Sequence, residues 1–325
     1  MNNPRIFKEP FSYYLFGSLL IVVFSFIGGL LFMSLVTTMK LDFTSLHPEF
    51  GHNITFLTAL VPFLFGLMGL IFAVRFIHKR EFSTLISNRI NKISPQNHFP
   101  LTDASTENTD DHVEVENNNT KRTSIDFSRI WFSFLLISFL SVSFYTLEIV
   151  LNPELYHWNF QFKPFLLLAL ISLLFIPIQA GLEELIFRGY LMQGFQKITR
   201  KRWIPIVLTS LIFASLHLLN PEIEKYGIDF AATFLFFGLT TGIIAYMDDG
   251  IELAIGTHIA NNLFIVLMIS TDWAVFQTDA LYRTSYEPKL IEYYYSILII
   301  TTIYFFVFAK KYRWRNWKER LLGSH

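Results

Sequence analysis

Eight separate stretches of this chain are apolar over the length a bilayer demands, and that feature rules out most other folds. They cover residues 11–39, 53–74, 130–147, 164–182, 203–219, 230–247, 253–271 and 293–309. A spanning helix needs about 20 mostly apolar residues. Hydrocarbon offers no partner to a backbone N–H or C=O, so only helices and closed barrels cross it. Runs this long read as helices. The expected fold class is all-α: a polytopic membrane helix bundle of about eight transmembrane helices. With 52% hydrophobic and 16% charged residues, the composition is too apolar for an ordinary soluble domain. The first stretch is too long for a signal-peptide core and no small-x-small cleavage site follows it, so it reads as a retained anchor.

Lys and Arg in the connecting segments set the orientation. Eight spans with the N-terminus inside put residues 1–10, 75–129, 188–202, 248–252 and 310–325 on the inner side. Setting aside Arg75 at a span end, these hold 20 of the 26 Lys and Arg. The outer loops keep Lys40, Lys163, Lys225, Arg283 and Lys289. Both termini are expected in the cytoplasm. Residues 94–126 are polar, acidic in the middle and rich in Asn and Thr, too poor in apolar surface to fold alone. They read as a flexible linker between a two-span unit, 1–93, and a six-span unit, 127–325. The basic tail "KKYRWRNWKERLL" reads as an anchor to anionic headgroups of membrane lipids.

A formal net charge of zero gives no field for nucleic acid. With no cysteine, the chain lacks disulfides, thiolate metal sites and a thiol nucleophile. No internal repeat is visible, which speaks against a transporter using these polar groups as a proton relay.

Ionisable residues inside a span cost about 2.5–3.5 kcal/mol or more at its centre, so they default to function or to internal pairing. They fall in three places. In "GLEELIFRGYL", Glu184 and Arg188 are four apart and share a face, in the favourable order for a pair. Glu183 lies about 100° around the helix. It is left without that cation and is a candidate general base. Spacing alone fits a buried ion pair with a boundary glutamate equally well. In "FASLHLLNP", Phe213 and His217 share a face, and in "GTHIANNLF" so do His258 and Asn262, with Asn261 beside them. Either pair alone would read as core packing or helix–helix hydrogen bonding. Together, a carboxylate base, two imidazoles and an amide suffice to activate a water and to stabilise an oxyanion. Glu183, His217 and His258 would also be the ligands if a divalent metal such as zinc is used. The His-Glu-x-x-His, Gly-x-Ser-x-Gly, P-loop and dinucleotide signatures are absent.

Glu-Glu-x-x-x-Arg at 183–188, Phe-x-x-x-His at 213–217 and His-x-x-x-Asn at 258–262 resemble the three motifs of the CPBP intramembrane proteases. This family comprises the type II CAAX prenyl endopeptidases and the bacteriocin-processing and immunity proteins. The resemblance covers roughly residues 130–309. It implies an intramembrane endopeptidase in which Glu183 activates the water, His217 holds or shares it, and His258 and Asn262 stabilise the oxyanion. Glu184 and Arg188 would shape the site. The implied substrate is a membrane-associated peptide or protein, prenylated or a bacteriocin or signal peptide, and the family is often described as metalloproteases. The alternative is a non-enzymatic immunity or peptide-binding scaffold protein of the same family. The expected location is a bacterial inner membrane.

One expectation conflicts with these roles. At ~1.5 Å per residue, a straight helix from Pro164 puts Glu183 about 28 Å along, near the inner face. His217 falls ~20 Å from Trp203, past the midplane. A kink at Pro177, loosening at Gly181 or a start delayed by Pro205 is needed for them to meet.

Overall fold

The computed structural model describes residues 9–38, 51–87 and 125–324. The expected linker at 94–126 lies outside the described residues except for its last two, as does the loop carrying Lys40.

The chain is a polytopic helix bundle. Six helical segments are long and apolar enough to cross a membrane: Phe11–Ser34, Gly51–Ile77, Phe127–Leu151, Phe162–Ile198, Ile228–Asp248 and Leu290–Lys311. We label the helices α1 (Phe11–Thr38), α2 (Gly51–Phe72), α3 (Phe127–Leu151), α4 (Phe162–Glu184), α5 (Met192–Ile198), α6 (Trp203–Leu216), α7 (Pro221–Tyr226), α8 (Ala231–Asp248), α9 (Glu252–Met268), α10 (Leu290–Lys311) and α11 (Trp317–Leu322). The remaining two expected spans are the short helices α6 and α9, of 14 and 17 residues.

Large apolar side chains such as Leu15, Phe16, Leu19, Phe26 and Leu30 on α1 face outward. In water this arrangement would fail; against lipid tails it needs no explanation. The first two spans do not stand apart from the rest. Tyr14 and Ile21 of α1 and Leu70 of α2 are buried in one core with Leu182, Leu185 and Tyr190. Gly17 permits this contact, since a Cβ there would sit 1.9 Å from the Tyr190 hydroxyl.

The segments rich in Lys and Arg gather at one end. Lys197 Nζ donates to the Glu9 carbonyl (2.6 Å), Ile251 N to Ile86 O (2.9 Å) and Arg202 N to Gly323 O (3.1 Å). Residues near both termini therefore sit at the inner end defined by the charge bias. At the outer end the pieces His157–Trp158 (β1), Ile269–Thr271 (β2) and Tyr282–Thr284 (β3) pair in the order β1-β3-β2. β3 runs antiparallel to β1 and parallel to β2.

The depth conflict is resolved by where the fourth span ends. It does not stop at Leu182. It continues through a π-helical segment, Leu185–Leu191, into α5, forming one rod of 37 residues from Phe162 to Ile198. Pro177 lies inside α4 without ending it, and α6 starts at Trp203 despite Pro205. Ile198 and Trp203 flank a hairpin turn at the inner end. Glu183 lies 15 residues back from Ile198 along the rod, and His217 lies 14 residues on from Trp203. At ~1.5 Å per residue both are about 21–23 Å from the turn, at matching depth.

Candidate active site

Glu183 and Glu184 are neighbours with different surroundings. Glu184 is fully buried and its Oε1 accepts from Arg188 Nη1 (3.1 Å) and His258 Nδ1 (2.9 Å). The four-residue spacing on the rod supplies Arg188, and α9 supplies His258. Arg188 Nη2 also donates to the Gly238 carbonyl of α8 (3.2 Å), and its guanidinium lies over the Phe213 ring at 4.9 Å. The rod and helices α6, α8 and α9 thus meet on one ion pair. Through Oε1 that carboxylate is tied into the structure, while its Oε2 is buried without a donor.

Glu183 is held more sparingly. Its Oε1 accepts from Gln179 Nε2 at 2.6 Å, one helical turn earlier. Its Oε2 is buried and accepts no hydrogen bond, and His258 Nε2 stands 3.6 Å from it. Glu184 Oε2 also lacks a donor, but Glu183 is the more accessible of the two, its side chain 12% exposed against 0%.

The amide chain behind Glu183 has only one possible direction. A carboxylate can only accept, so Gln179 must present its NH₂ to Glu183 and its Oε1 to the other side. There it accepts from Asn262 Nδ2 at 2.9 Å, and Asn262 Oδ1 in turn accepts from Asn261 Nδ2 at 3.1 Å. Four side chains from α4 and α9 form a directed relay ending on Glu183 Oε1. Sequence reading placed Gln179 in an apolar span and missed it. Its spacing of four from Glu183 was the available signal, the same spacing that pairs Glu184 with Arg188.

His217 caps the C-terminus of α6. Its Nδ1 lies 2.8 Å from the Phe213 carbonyl, which can only accept, so the proton is on Nδ1 and Nε2 is left as the free nitrogen. The ring stacks on Phe234 with centroids 4.4 Å apart, and Phe213 touches both His217 (4.5 Å) and His258 (6.3 Å). The fold therefore joins Glu183, Glu184, Arg188, His258 and Asn262 through polar contacts. His217 joins them through aromatic rings alone.

The metal set expected on Glu183, His217 and His258 does not come together. Among the described residues no group of three His, Asp or Glu is placed to hold an ion. His258 directs both ring nitrogens at carboxylates, and His217 commits Nδ1 to a carbonyl.

Residues 162–264, from the start of α4 to the fourth turn of α9, match the family model of the Rce1-like type II CAAX prenyl endopeptidases. This segment is similar to an Rce1-like domain. Every residue of the polar cluster falls within it. The chain is also 27% identical over 217 residues to the uncharacterized protein YyaK of Bacillus subtilis (strain 168), an alignment that takes in 66% of this chain and 62% of the relative. No solved structure matches. The six long apolar helices among the described residues, with the match to a membrane-protease family model, make this a multi-pass integral membrane protein.

Proposed function

We propose that the protein is an intramembrane endopeptidase in which Glu183 activates the hydrolytic water. The observation that carries this reading is the contrast between the two glutamates: Glu184 is fully buried and ion-paired with Arg188, while Glu183 has no Lys or Arg partner among the described residues, is 12% exposed and keeps an oxygen that accepts no hydrogen bond. A water hydrogen-bonded to Oε2 can also reach His258 Nε2. As its oxygen adds to the scissile carbonyl carbon, one proton passes to Glu183 Oε2 and the C=O electron pair becomes the oxyanion. The intermediate collapses by breaking the C–N bond, and the proton on Glu183 moves to the leaving amine nitrogen.

His258, held by Glu184, and the second amide proton of Asn262 are the donors nearest to the developing charge. His217, with Nε2 free, orients the water from the α6 side. The low-dielectric surroundings strengthen each of these interactions. The substrate is a membrane-associated or lipidated peptide, and the membrane is a bacterial inner membrane, a location favoured by the bacterial relative.

The test is cleavage of a farnesylated CAAX-type peptide by purified protein, wild type against Glu183→Gln. Loss of cleavage with unchanged membrane insertion supports the reading. Full cleavage by the variant overturns it, and a wild type that binds the peptide without cutting it favours a scaffold protein instead. A chelator arm addresses the donor set: activity is expected to persist, and loss restored by added zinc would mean that the ligands rearrange on binding.

A further inference from the structure

The inner end of the bundle holds a cavity that the candidate active site does not use. It has a volume of about 380 Å³ and is lined by five arginines: Arg129, Arg202, Arg313, Arg315 and Arg320. Two are committed. Arg129 pairs with Asp126 and Asp248, and Arg320 pairs with Asp249. Arg202 reaches only a backbone carbonyl, that of Glu319, at 3.3 Å. Arg313 and Arg315 are exposed and make no hydrogen bond or ion pair among the described residues. Once the ion pairs are set aside, three guanidinium groups face a single lining carboxylate, Glu319.

The turn that presents them is unusual. Arg313 and Asn316 both have left-handed backbone, with φ of 52° and 54°. Side chains other than glycine seldom adopt that conformation, and here it recurs within four residues. The turn is pinned from below: Trp314 is buried, its Nε1 donates to Asp248 Oδ1 at 3.2 Å, and its ring meets Trp317 at 5.6 Å. It follows directly on the last residue of α10, so the cavity lies where the hydrocarbon ends and headgroups begin.

We propose that this cavity binds the phosphate of an anionic phospholipid of the inner leaflet. The planar fork of a guanidinium matches two phosphate oxygens at once, which an ammonium cannot do. A soluble phosphate would share that chemistry; the position at the end of a lipid-facing helix selects the lipid. The cavity would act as a defined one-lipid site, distinct from the diffuse attraction of a basic tail.

The test is native mass spectrometry of the delipidated full-length protein, titrated with phosphatidylglycerol or phosphatidylcholine, with inorganic phosphate as competitor. One phosphatidylglycerol should bind saturably, about tenfold or more tighter than phosphatidylcholine. Each unpaired arginine is expected to contribute roughly fivefold, so Arg313→Ala/Arg315→Ala should weaken binding by at least about tenfold. Glu319→Gln should tighten it. Both arginines are exposed, so the double variant should keep its melting temperature. The charge-matched control Lys310→Ala/Lys318→Ala, outside this cavity, should retain binding. Equal loss in the control would mean a diffuse field and overturn the site. Equal affinity for the two lipids, or displacement by inorganic phosphate at matched concentration, would overturn the lipid assignment.

Discussion

Helices α9 and α10 have similar apolar character and opposite surroundings. Along α9 most side chains are buried, including Glu252, Thr257 and His258. Along α10 only Tyr304 and Phe308 are buried among 22 residues. The short helix is walled by protein and carries chemistry. The long one is walled by lipid and carries almost none. A polar group in hydrocarbon has no partner, whereas one inside a bundle can be given several. Helix length follows the same division, because a helix surrounded by protein is not required to match the bilayer thickness.

The comparison is broken most severely at Glu183. Replacement by Gln keeps the size of the side chain and its contact with Gln179 but removes the base. We expect activity to fall by ~10²–10⁴-fold or more, with melting temperature and insertion unchanged. An active Glu183→Gln enzyme would show that a protein-walled carboxylate here is structural.

Glu184→Ala should do the reverse. It leaves Arg188 buried and unpaired and His258 without an acceptor on Nδ1. Breaking a buried pair from one side costs about 3–5 kcal/mol. We expect a large drop in melting temperature in detergent and little folded protein. Full stability would show that water or a neighbouring group reaches Arg188.

Gln179→Leu should act more mildly. The relay to Asn262 is cut and Glu183 Oε1 loses its hydrogen bond from Gln179. Because Gln179 acts through Glu183, kcat should fall about tenfold while KM changes little, and Gln179→Glu should fail to restore it. A change confined to KM would place Gln179 in peptide binding.

The charged and imidazole residues of the candidate site stood out in the sequence; Gln179 and the arrangement of the cluster did not. Glu184 with Arg188 followed from a spacing of four. The continuation of α4 to Ile198 did not. A hydropathy reading ends a span at its first charges, but here Glu184 also meets His258 Nδ1, 74 residues away. Contacts of that range leave no local trace. Gln179 was hidden for the opposite reason: one amide in an apolar run looks incidental until its acceptor's position is known. His217 was legible as a motif residue, yet its height in the bundle depended on the length of a neighbouring rod.

The smallest expected effect is the sharpest test of the opening contrast, because it uses one chemistry at two sites. Leu253 on α9 is fully buried, and Leu298 on α10 is 51% exposed. In water, Leu→Ala loses transfer energy and packing together. In a membrane the lipid is as apolar as leucine, so only packing distinguishes the two positions. Leu253→Ala opens a cavity between helices and should cost about 2–5 kcal/mol. Leu298→Ala exchanges one lipid contact for another and should stay within about 0.5 kcal/mol. Unfolding of both variants in bicelles, read by tryptophan fluorescence, would measure the difference. Equal costs would mean that α10 is covered in the membrane by a partner or a second copy, and that its outward face is an interface.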